Sequence, residues 1–128
     1  MRNAFVFALF LVACSERPAA APVRKPAPVS AAPVVDPAAE ARALFQARCA
    51  ACHGREGKGD GVASGQLNPK PRSFADPAWQ ASATDADIEK IILLGGPGVG
   101  KSPFMPANPD LEGKTEVIQA LRVLVRKF

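Results

Sequence analysis

This chain of 128 residues has no tyrosine, one histidine, one tryptophan and three cysteines. A single imidazole excludes catalysis that divides acid and base work between two histidines. An odd cysteine count excludes a framework in which every thiol is paired within the chain. No apolar run approaches the ~20 residues that a membrane-spanning helix needs; the run Ala4 to Ala13 is about half that. The overall charge of +4 is also thinner than it looks. From Pro37 onward there are 12 Lys and Arg against 10 Asp and Glu, a net +2, with no basic stripe. Nucleic-acid binding is therefore not expected. Beyond the initiator there is one methionine, Met105, and no internal repeat is visible.

What is present is concentrated in five residues, Cys49-Ala50-Ala51-Cys52-His53. Two thiols three positions apart, followed directly by a histidine, are what covalent attachment of a c-type haem requires. Each sulfur can add to one porphyrin vinyl group, and the imidazole then serves as the proximal iron ligand. The two competing uses of this pattern fit poorly. A thioredoxin-like dithiol would want a strand before the motif and a βαβ pattern around it, and the segment reads as helix. A zinc site would have Cys49, Cys52 and His53 but no good fourth ligand elsewhere, and His53 is badly placed for tetrahedral closure.

The first 36 residues read as an address and a tether. Arg2 supplies a positive start, and residues 1–13 form a short signal segment rather than a membrane span. Leu11-Val12-Ala13-Cys14 resembles a lipoprotein signal. That resemblance makes Cys14 the lipidated first residue of an exported, membrane-anchored protein and explains the odd cysteine. Ser15 in the next position favours outer-membrane sorting. Residues 14–36 then form a Pro/Ala/Val spacer containing Pro18, Pro22, Pro26, Pro28 and Pro33 and no aromatic. It cannot bury a core and is expected to be a disordered tether with a reach of about 70 Å.

Residues 37–128 read as one all-α domain. Asp36-Pro37 is a helix start, with a capping carboxylate and proline at the first helical position. Ala38 to Ala51 continues without a breaker, with Ala41, Leu44, Phe45 and Arg48 on one face. Glycines from Gly54 to Gly65 and a proline-rich loop through Pro69, Pro71 and Pro77 follow. Thr84 and Asp87 form a capping box opening a helix with Ile88, Ile91 and Ile92 as its buried stripe, stopped by Gly95. Pro97 to Pro109 is loop. A last helix starts at Thr115 and turns Val117, Leu121, Leu124, Val125 and Phe128 inward. Three main helices in about 90 residues give a thin core, which a covalently held porphyrin would thicken.

This order of helix, CxxCH, glycine turn, proline loop, helix, methionine loop and terminal helix resembles the small class I cytochromes c. The resemblance covers nearly all of the ordered chain. It implies the cytochrome c fold, with long loops wrapped around one covalent haem c. Phe45 matches the aromatic that packs on the C-terminal helix, and Ala41 the small residue where the two helices cross. The family often carries an aromatic near Leu124; this chain does not, and Phe128 compensates in part. The resemblance also implies that the second imidazole nitrogen of His53 donates to a proline carbonyl in the following loop, Pro69 or Pro71. It makes Met105 the distal ligand, in the proline-clamped Ser102-Pro103-Phe104-Met105-Pro106. Arg72 and Trp79 become donors to a haem propionate, with plain surface charge and haem-edge packing as their alternatives.

One motif points elsewhere. Gly95 to Ser102 matches GxxxxGK[ST] letter for letter. A phosphate-binding loop needs a helix directly after it, and Pro103, Pro106 and Pro109 forbid one. No nucleotide is expected at 95–102; the glycines instead let the chain approach the haem face and carry Met105 to it. The expected function is single-electron transfer by a His53/Met105-ligated haem cycling between Fe(II) and Fe(III), not catalysis. The expected partners are redox proteins meeting the exposed haem edge of a monomer in the periplasm. The alternatives are small-ligand binding or peroxidase-like activity with a labile Met105, or a fixed electron-entry subunit of a larger oxidoreductase.

Overall fold

The carboxylate of Asp36 accepts from the Ala38 backbone N–H, and Pro37 occupies the first helical position, so α1 runs Pro37–Leu44. The protein is described by a computed structural model covering residues 36–128. The signal segment 1–13, Cys14 and the spacer through 35 lie outside the described residues.

α1 does not continue unbroken to the haem motif. Phe45–Cys49 forms a π turn, closed by the Ala50 N–H donating to the Phe45 carbonyl, and α2 is Ala50–His53. The wider turn takes up one extra residue and shifts the phase of everything after it. Ala41 and Phe45, each 1% exposed, stay in the core. Arg48 departs from the face it would share with them in a regular helix and is exposed.

Among the described residues every regular element is helical. α3 (Pro77–Ser82), α4 (Asp85–Leu94) and α5 (Thr115–Val125) complete the frame, joined by loops and single 3-10 turns. α3 corrects the expectation of loop through Pro77. Asp76 accepts from the N–H groups of Ala78 and Trp79, and Pro77 takes the first helical position, the same device that starts α1. The α4 capping box is formed as expected: Thr84 Oγ1 accepts from the Asp87 N–H, while the Asp87 carboxylate accepts from the Thr84 N–H.

α1 and α4 both pack on α5. The core between them holds Ile88, Leu111, Val117, Ile118, Leu121 and Val125 around Phe45. Burying a side chain of Phe45's size stabilises the fold by about 1.5–3 kcal/mol. Phe128 does supply the aromatic missing near Leu124: its ring lies 5.1 Å from that of Phe45 and 6.1 Å from that of Phe74. Arg126 fastens the end of α5. Its guanidinium donates to the carbonyls of Gln80 and Ala83 and to the Asp85 carboxylate. Leu124, Ile91 and Ile92 are only half-buried. For the two isoleucines the reason is that they face a large cavity rather than another helix.

Candidate functional site

That cavity has a volume of about 880 Å³. Cofactor sites of drug-sized ligands and larger run about 300–1,000 Å³. Seven residues separated by up to 56 positions in the chain converge on its wall: Cys49, Cys52, His53, Pro69, Arg72, Trp79 and Met105. Leu67, Phe74, Ile88, Ile91, Ile92 and Val99 supply apolar surface between them.

One wall is built by α2 and the loop that follows it. His53 Nδ1 lies 3.1 Å from the Arg72 carbonyl oxygen. A carbonyl only accepts, so Nδ1–H donates and Nε2 keeps its lone pair. The acceptor is thus Arg72, not Pro69 or Pro71. The segment 71–73 crosses directly over Gly59 (φ +76°), and a Cβ there would sit 2.5 Å from the Pro71 oxygen. This close approach turns the next carbonyl, that of Arg72, toward the imidazole. Gly59 N–H also donates to the His53 carbonyl at 2.8 Å, and Phe74 N–H to the Gly57 carbonyl at 2.7 Å. Burial lowers the pKa of the His53 imidazole, against the opposing pull of the Arg72 carbonyl. Neutral imidazole is the form that ligates a metal. Burial likewise raises the Cys49 thiol, so it stays protonated. Cys49 and Cys52 are unpaired and half-buried. Among the described residues no three His, Cys, Asp or Glu side chains gather as a metal cage.

A second part of the lining carries Met105. Gly95 (φ +67°) stops α4, and the Gly96 N–H donates to the Met105 carbonyl at 2.9 Å. A Cβ on Gly96 would fall 1.9 Å from the Ser102 carbonyl oxygen, and one on Gly95 2.7 Å from that of Met105. The glycines of the GxxxxGKS match therefore hold the methionine loop against the end of α4. Turn and bend rather than helix follow Ser102. Asn108 anchors the far side of the loop, its N–H donating to the Leu93 carbonyl and its Nδ2 to that of Ile92 at 2.7 Å.

The remaining candidates sit at the rim. The Arg72 guanidinium is exposed and lies 3.6 Å from the Asp76 carboxylate, so what Arg72 presents to His53 is its carbonyl. The indole of Trp79 is half-buried, with its ring 5.3 Å from Phe74. Two site residues carried no sequence reading. Phe74 stacks on the His53 imidazole at 4.6 Å with ring planes 16° apart, and Asn108 lines the cavity while anchoring the loop. A lone phenylalanine among prolines gives no periodic signal. Asn108-Pro109 reads only as a turn.

The residues present fit a covalently held haem: two free thiols, a neutral imidazole and a thioether face one apolar cavity of cofactor size. A family model for cytochrome c matches residues 38–117. No curated protein and no solved structure matches the chain.

Proposed function

This chain belongs to the cytochrome c family, and from that premise we propose that it is an exported single-electron carrier with His53 and Met105 as axial ligands. The family binds haem c covalently, and Cys49 and Cys52 are placed to attach it. When bound, haem c supplies a one-electron Fe(II)/Fe(III) couple, raised by a thioether ligand relative to a second imidazole.

The chain's own residues do the rest. Cys49 and Cys52 offer two sulfurs one helical turn apart. The Arg72 carbonyl fixes the His53 tautomer, leaving Nε2 as the nitrogen able to ligate. Gly95 and Gly96 pin the Met105 loop against the end of α4, with Met105 lining the same cavity. Ile88, Ile91, Ile92 and Phe74 keep water away from the space between. Filling both axial positions from the protein leaves no open site for a substrate, which favours carrying electrons over catalysis. Lys70, Arg72, Lys90 and Lys101 line the cavity against a single acid, Asp87, so a partner protein would meet a cationic rim. The observation that carries the reading is the convergence of His53 and Met105, 52 positions apart, on one cavity.

The oxidised, haem-loaded protein should show the weak long-wavelength sulfur-to-iron absorption band, and Met105→Ala should abolish it while the haem stays covalently attached. A high-spin, five-coordinate spectrum in the unmodified protein would instead favour ligand binding. The resemblance of Leu11 to Cys14 to a lipoprotein signal supports a lipid anchor at Cys14, with the haem domain on the periplasmic side of the membrane and Ser15 favouring the outer one. Cys14→Ser should then release the protein from the membrane fraction; unchanged association rejects the anchor.

A further inference from the structure

We propose that Arg48 and Asp110 form a clamp that holds the methionine loop closed, and so set how readily an external ligand displaces Met105. The inference rests on Met105 being the distal ligand. Arg48 stands directly before Cys49, and the π turn frees it from the core face of α1. Its guanidinium donates through Nη1 and Nη2 to the two Asp110 oxygens, both at 2.9 Å, and through Nη1 to Asn108 Oδ1 at 3.3 Å. This two-pronged arrangement fixes orientation as well as distance.

Its position gives it a role beyond a surface ion pair. Among the described residues, no other hydrogen bond joins the segment 45–60, which carries the thiols and His53, to the segment 96–112, which carries Met105. Elsewhere Asn108 ties the loop to Ile92 and Leu93 of α4, the Lys114 N–H donates to the Leu111 carbonyl at the start of α5, and the Gly96 N–H closes the loop on the Met105 carbonyl. Asn108 is shared. The same side chain accepts from Arg48 and donates to Ile92, so a pull on one wall reaches the other through a single residue. Arg48 also lines the cavity beside Cys49. Arg48 and Asp110 are thus positioning residues acting through Asn108 and the loop backbone, touching no reacting atom themselves. Half-exposed side chains, 43% for Arg48 and 51% for Asp110, keep the effect to the modest size of solvent-screened pairs.

The test is the rate at which cyanide binds the oxidised, haem-loaded protein, a rate that depends on how often the thioether gives way. Asp110→Asn should speed cyanide binding about fivefold, the upper range for an exposed pair, and weaken the sulfur-to-iron band. Arg48→Lys, which keeps the charge and loses the second prong, should fall between. Glu40→Gln breaks the Lys114 pair between α1 and the start of α5 and serves as the control for general loosening; it should leave the rate unchanged. Equal rates in Asp110→Asn and the unmodified protein, or equal acceleration by Glu40→Gln, would overturn the clamp. Should the unmodified protein lack the sulfur-to-iron band altogether, it is the ligand assignment that fails.

Discussion

The two walls of the cavity are held in different ways. The His53 wall is made by backbone hydrogen bonds over a short stretch: Gly59 to the His53 carbonyl, His53 to the Arg72 carbonyl, Phe74 to Gly57. The imidazole ring itself is bonded there, and Phe74 stacks against it. The Met105 wall is a proline-clamped loop whose backbone is fixed at Gly96 and Asn108, while its link across the cavity depends on Arg48. The His53 ring is held in orientation by the protein's own contacts. Met105 rides on a loop with fewer such bonds. With His53 and Met105 as the axial ligands we propose, that asymmetry makes the thioether the more readily exchanged of the two.

The same substitution on each wall should separate the two mechanisms. The larger effect belongs to Gly96→Ala. Its φ of −60° suits alanine, so the damage is steric alone: the new methyl meets the Ser102 oxygen at 1.9 Å. The loop must move, at a cost of about 1–3 kcal/mol. We expect loss of the sulfur-to-iron band, retained covalent haem, and a lowered urea midpoint. If the band persists, the loop is stiffer than its few bonds imply, and the contrast between the walls is wrong.

Gly59→Ala should be the milder of the two in ligation. The methyl would meet the Pro71 oxygen at 2.5 Å and force a left-handed residue at φ +76°. Segment 71–73 then lifts away, and the Arg72 carbonyl weakens its hold on His53. Losing that acceptor makes the imidazole a poorer donor to ferric iron. The reduction potential should therefore rise by on the order of 50 mV, where 59 mV is tenfold for one electron, with the sulfur-to-iron band retained. Voltammetry of the two variants side by side reads the comparison directly. A fall in potential would mean the Arg72 carbonyl does not tune His53.

Much of this was legible in the chain itself, because chemistry tied to spacing survives without coordinates. Cys49, Cys52 and His53 stand out by their intervals, and Met105, the one methionine besides the initiator, by its proline loop; the structure puts all four on one cavity. The Asp-Pro start that marked α1 was equally present at Asp76-Pro77; the prolines around it masked α3. The π turn at Phe45–Cys49 left no mark, since its residues carry no helix breaker and a one-residue widening has no sequence signature of its own. Nor could the loop's prolines say which carbonyl meets His53. That depends on how closely residue 71 passes Gly59, a through-space distance.

By itself the order of residues determined the cofactor class and the all-helical frame, because thiol spacing, caps and periodicity are local and need no partner far along the chain. Tertiary structure alone decided that the Arg72 carbonyl orients His53, that Phe74 stacks on it, and that Arg48 reaches 62 positions to Asp110. Those are long-range contacts, set by how α1, α4 and α5 pack around one cavity, and no interval in the sequence encodes them.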